Sequence, residues 1–126
     1  MAKETADSAF IGTDFQRTIA VLNEAEDAAI DISGWSLSWM LKRKLSNADS
    51  AALVTKSTTA GGVGVTGVYN AAPGTNTQRA TVTVADTDTD TLTAGTCYWE
   101  LKRMDAGLEC VLAYGEFELV RGVHRA

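Results

Sequence analysis

Residues 35–41 alternate without a break: Trp35, Leu37, Trp39 and Leu41 fall on one face, with Ser36, Ser38, Met40 and Lys42 on the other. This two-residue period is what a strand with one buried side requires, and it predicts a central strand. A second stretch of this kind runs over 91–104. Leu92 is placed to plug a core, Gly95 permits a tight turn, and from Thr96 onward β-branched and aromatic residues alternate with polar ones. A loop therefore delivers a long strand. Tyr98, three residues after Gly95, is positioned for a tyrosine corner, in which its hydroxyl returns to a backbone group of the preceding loop. Shorter segments predict strands over 15–22, 53–57, 63–69, 80–84, 109–114 and 115–120. Turn formers separate them: an acidic exposed turn at 23–31, a polar loop at 46–51, Gly61-Gly62, and residues 70–78. The last holds the single proline and is expected to project as a hairpin tip. About 7–8 strands with turn signals roughly every ten residues imply an all-β antiparallel sandwich, each sheet burying its apolar side on the other. Trp35, Trp39, Trp99, Leu37, Leu41 and Leu101 would fill the space between. The organisation read from this pattern is an N-terminal arm over 1–12, a sandwich over 13–120 and a tail over 121–126. Residues 1–9 lack periodicity, so they are expected to be disordered or to order on a partner, with Phe10 and Ile11 as apolar anchors.

Composition narrows this picture. With 126 residues the chain suits one domain with a self-sufficient core. A net charge of −5 disfavours a nucleic-acid partner, and the one basic run, Lys42-Arg43-Lys44, continues a strand pattern and reads as a solvated strand end. No apolar run has secretory length or the roughly 18 residues of a membrane span, so a soluble protein made in a cytosol, without a membrane partner, is expected. A hairpin turn at 105–108 would set Cys110 opposite a residue near Arg103, leaving Cys97 roughly 20 Å away along the strand. The two cysteines should be free, buried structural thiols.

Several short motifs lose their chemistry in context. Gly62-Val-Gly-Val-Thr-Gly67 matches G-x-G-x-x-G, but no helix can open inside it to meet a pyrophosphate, so it reads as a Gly-rich strand and turn. Asp86-x-Asp88-x-Asp90 begins like a calcium loop, yet Thr91 stands where Gly is needed and Cys97 where a bidentate Glu belongs. Side chains capping a short helical or Asx turn are the better reading. His124 is the only histidine, which leaves no Ser-His-Asp triad or multi-histidine metal site within one chain. Glu116 and Glu118 share one strand face with Phe117 and Leu119 on the other, the pattern of a solvated outer face. The expectation is a protein that is not an enzyme, with no catalytic residues, cofactor or metal.

The order Phe10-Ile-Gly-Thr-Asp-Phe15, Ile30-Asp-Ile-Ser-Gly-Trp35-Ser-Leu-Ser-Trp39, Ala80-Thr-Val-Thr-Val-Ala-Asp-Thr87, Leu92-Thr-Ala-Gly-Thr-Cys-Tyr98-Trp-Glu-Leu and Gly115-Glu-Phe-Glu-Leu spans nearly the whole chain. It resembles small immunoglobulin-like structural proteins of tailed bacteriophages, including the N-terminal domain of the baseplate upper protein and stand-alone virion proteins. The resemblance implies an immunoglobulin-like β-sandwich, with Trp35, Trp39, Gly95, Tyr98 and Trp99 as its structural motif. Baseplate members continue into a fibre or coiled coil, whereas this chain reads as one domain, so the expected role is a capsid decoration or cement protein on the outside of the head. A tail or baseplate adaptor carrying a fibre is the alternative. A third reading is a carbohydrate or cell-surface binding module, with Tyr69, Tyr114 or a Trp stacking on sugar. Expected partners are capsid or tail proteins of the same virion and further copies of the chain, as a trimer. Phe10, Ile11, Asn70, Pro73, Gly74 and Asn76 are the candidate contact residues.

Overall fold

A computed structural model describes residues 3–122. Among them, nine strands form two sheets. In chain order these are β1 (Lys3–Glu4), β2 (Asp7–Phe10), β3 (Phe15–Ile19), β4 (Leu37–Lys42), β5 (Val54–Ser57), β6 (Val63–Thr66), β7 (Arg79–Val84), β8 (Gly95–Arg103) and β9 (Cys110–Val120). One helical turn, α1 (Asp86–Thr89), links β7 to β8, and a 3-10 turn occupies Asp49–Ala51. The larger sheet runs β1-β9-β8-β4-β5, with β2 also on β9, and the smaller runs β3-β7-β6. This is immunoglobulin-like connectivity: β3, β7 and β6 stand as strands B, E and D, against β9, β8, β4 and β5 as G, F, C and C′. The strand count exceeds the expected 7–8 because the N-terminal segment is also strand.

The period-two patterns decide which side chains meet between the sheets. Leu37, Trp39 and Leu41 of β4 are buried with Cys97, Trp99 and Leu101 of β8 and Phe117 and Leu119 of β9. Ala80, Val82 and Val84 of β7 close the core from the other sheet. Trp39 meets Phe117 edge-on at 6.2 Å between centroids, and Phe15 packs on the same ring at 5.8 Å. Burying each large apolar side chain stabilises the fold by about 1.5–3 kcal/mol, so these rings anchor the two layers.

Residues 3–10 do not form a free arm. β1 and β2 run parallel to β9, pairing Lys3 with Ala113, Glu4 with Tyr114, Asp7 with Phe117 and Phe10 with Val120. They join the fold because β9 offers an unpaired edge whose backbone groups would otherwise face water, a match that no local pattern announces. Phe10 stays 55% exposed while Ile11 packs against the core, so only one of the two expected anchors remains outward.

Gly115 explains a second departure. The expected break between 109–114 and 115–120 is absent, and β9 continues through Gly115. A Cβ there would stand 1.9 Å from the carbonyl oxygen of Thr5 and 3.0 Å from Trp99 Nε1. The glycine serves a close approach instead of a turn: the Trp99 indole N–H reaches across it and donates to Thr5 O at 2.9 Å.

Trp35 lies before β4 and is half-buried, because Ser36 N bonds Asp105 Oδ2 at 3.0 Å and Arg103 covers the Trp35 ring at 3.8 Å. Tyr98 faces outward between Lys42 and Glu116, since Cys97 and Trp99 take the inward positions. Among the described residues its hydroxyl makes no hydrogen bond, so the corner does not form. The hairpin does set Cys110 opposite Arg103, and both thiols are free. Cys97 is buried, whereas Cys110, at the start of β9, is exposed instead of structural. The first predicted strand ends at Ile19, short of 22. His124 lies outside the described residues.

Candidate functional site

The β6–β7 connection brings together four of the candidate residues and sorts them by role. Gly67 opens it at φ +80°, and a Cβ there would stand 2.0 Å from Thr77 O, so the loop enters through a position that only glycine fills. Thr77 closes the neck: its amide donates to Val68 O at 3.1 Å, and its hydroxyl accepts from Val68 N at 2.9 Å. Asn76 then holds the interior. Its Oδ1 accepts from Asn70 N at 2.9 Å and Gln78 N at 3.3 Å, while its backbone N–H donates to Ala72 O at 2.9 Å. At 5% exposure Asn76 is scaffold and not contact surface, which corrects its expected role. A short polar side chain at this place satisfies backbone groups that the curled loop takes out of water. Asn70 and Gly74 are exposed and Pro73 is half-buried. The Asn70 side chain accepts from Ala72 N at 2.9 Å.

The loop does not project freely. It folds back on residues 28–33, where Tyr69 OH donates to Ala29 O at 3.2 Å and Ala29 N donates to Ala71 O at 2.9 Å. Gln78, also buried, extends the tie. Its Oε1 accepts from Ile32 N at 3.0 Å, and its Nε2 donates to Asp31 Oδ1 at 2.9 Å and Ser33 Oγ at 3.0 Å. Ser33 also donates to Asp31 Oδ1 through its hydroxyl at 2.6 Å and its amide at 3.0 Å. Hydrogen bonds from Ser33 and Gln78 hold the Asp31 carboxyl below its ordinary pKa. The Asp31-Ile-Ser-Gly34 sequence is therefore more than a strand entry. It is the floor on which the loop is fixed.

On this frame the loop displays Val68 at 74% exposure beside the half-open ring of Tyr69. Val68 carries no local sequence signal, because it continues an alternating strand pattern that the glycine before it cuts short. At the far edge of the larger sheet, Phe10 and Val120 pair in register and both remain exposed. Ile11, by contrast, donates its amide to Val120 O at 2.9 Å and turns inward.

The motifs set aside on sequence grounds have structural duties. Val63–Thr66 of the glycine-rich segment is β6. In the aspartate run, Asp88 accepts from Ala85 N at 2.8 Å and pairs with Lys56 Nζ at 2.8 Å, while Asp86 Oδ1 accepts from Thr87 N. Glu116 and Glu118 point to water, with Phe117 and Leu119 fully inside. Of the basic run, Lys42 bonds Asp49 Oδ1 at 2.7 Å and Arg43 bonds Thr93 O at 3.0 Å, so both tie down loops. Among the described residues no helix is long and apolar enough to cross a membrane. No protein-family model matches the sequence, and no curated protein matches it.

Proposed function

We propose that this chain is a structural binding component of a tailed-phage particle, decorating the outside of the head and reinforcing the shell as a homo-oligomer. The observation that supports a binding role is the β6–β7 loop: Val68 is held in water at 74% exposure on a loop whose scaffold, Asn76 and Gln78, is buried. An apolar side chain displayed this way recovers about 25 cal/mol per Å² on meeting a partner, and a loop already fixed avoids most of the ordering cost. Many copies of so small a contact on a symmetric lattice add by avidity. The phage assignment itself rests on the sequence resemblance, and the attachment of a fibre in the tail is the other placement the same surface serves.

Antibody-gold labelling of intact particles, viewed by electron microscopy, tests the placement. Label over the heads is expected; label at the tail end would replace decoration by the adaptor role, and particles without label would remove the virion reading. Val68→Asp should lower occupancy on particles while leaving thermal stability unchanged. Full occupancy with this variant would exclude the loop as the contact.

A further inference from the structure

The sandwich is open along one side. β1 and β2 border the larger sheet and β3 borders the smaller, yet these two edges do not pair with each other. A cleft of about 370 Å³ lies between them and continues into a second space of about 240 Å³, the two sharing Lys3, Ala20 and Leu22. Its apolar lining comes from both layers: Trp39, Trp99 and Ala113 of the larger sheet, Ile19 and Ala20 at the end of β3, and Leu112 in the smaller space. A volume in the range of small-ligand sites, walled by indole and aliphatic groups, is the usual form of a binding pocket.

The charges at the mouth define what enters. Arg17 Nε bonds Asp7 Oδ2 at 2.8 Å and its Nη2 bonds Ser8 O at 2.8 Å, crossing the cleft at one end. Lys3 and Glu26 approach to 3.7 Å at the other. Each of these cations faces a carboxylate, and Glu4 and Glu24 add two more carboxylates along the smaller space only, so nothing here draws an anion inward and the larger cleft keeps its charges paired. Thr5 stands in the wall, where its hydroxyl can exchange one hydrogen bond with a guest, whereas Thr18 shares the outer face of β3 with Gln16. The roof is also coupled to the floor, because the Trp99 indole that lines the cleft is the group bonded to Thr5 O.

From this geometry we infer that the cleft between β1–β2 and β3 is a binding site for a compact neutral ring compound carrying one hydroxyl or carbonyl. This site is separate from the β6–β7 loop and does not depend on the virion reading. Ligand binding there would also steady the N-terminal strand, since both bear on Trp99.

The three tryptophans provide the test. The intact chain, labelled with nitrogen-15, is titrated with 2-naphthol while the indole N–H signals are followed by NMR. Those of Trp39 and Trp99 should shift together and saturate, with Trp35, which lies under Arg103 outside the cleft, unmoved. Ala20→Phe, which fills the space shared by both cavities, should weaken the apparent affinity by about tenfold or more. Ala6→Arg, at an exposed wall position, serves the same purpose should that change disturb folding. No shift up to the solubility limit, equal movement of all three indoles, or unchanged saturation in a folded variant would each overturn the assignment.

Discussion

Replacing Gly115 by Ala adds one methyl group where the structure has no room for it. Its Cβ would fall 1.9 Å from Thr5 O and 2.7 Å from the Thr5 carbonyl carbon, and both belong to backbone that cannot swing aside like a side-chain tip. The N-terminal strand must move off β9. Two interactions go with it: the Trp99 Nε1–Thr5 O bond at 2.9 Å and the Thr5 N–Tyr114 O bond at 2.8 Å. A part-buried indole N–H left without a partner costs about 1–3 kcal/mol and the ladder bond about 1, so the expected loss is roughly 2–4 kcal/mol. Urea unfolding should show this as a lower midpoint with little change in slope, and amide exchange at Thr5, Asp7 and Ser8 should accelerate more than in β4 or β8. Gly74→Ala is the control, since nothing lies within 4 Å of a Cβ there and its φ is not positive. Stability within about 0.5 kcal/mol of the parent, with residues 3–10 still protected, would refute the close-approach account of Gly115.

Two further outcomes concern polar contacts, the first beneath the loop and the second at three paired aspartates. Gln78→Ala leaves the amide of Ile32 without its acceptor and should destabilise the fold by about 1–3 kcal/mol, with exchange rising first at Val68 and Asn70; a change confined to global stability would argue against a loop scaffold. Asp31, Asp88 and Asp105 all have pKa values lowered from the ordinary 3.8, through Ser33 and Gln78, Lys56, and Arg103 respectively. The folded state therefore holds fewer protons than the unfolded chain, so this stabilisation is complete above about pH 4 and disappears as pH falls through the depressed values. Urea midpoints should hold steady near neutrality and drop below pH 4, with Asp31→Asn flattening part of that drop. A midpoint constant down to about pH 2.5 would remove these carboxylates from the account.

Local alternation was enough to read the class of fold and most strand faces. Alternation at Leu37, Trp39 and Leu41, at Cys97, Trp99 and Leu101, and at Phe117 and Leu119 is a local property, because successive side chains of any strand point to opposite sides. The hairpin at 105–108 was legible for the same reason: its turn residues and its register are neighbours in the chain. Tertiary structure alone decided three things. Pairing of Lys3 with Ala113 joins opposite ends of the chain, and a short polar segment shows no sign of it before β9 supplies the edge. Gly115 looked like a strand break, since a glycine kept for close approach and one kept for a turn are the same letter. Asn76 looked like a surface residue of a polar loop, because whether an amide caps buried backbone or faces a partner depends on residues 28–33 folding beneath it. Physical information about alternation is carried by each strand separately, whereas edges, close approaches and buried polar partners exist only once distant segments meet.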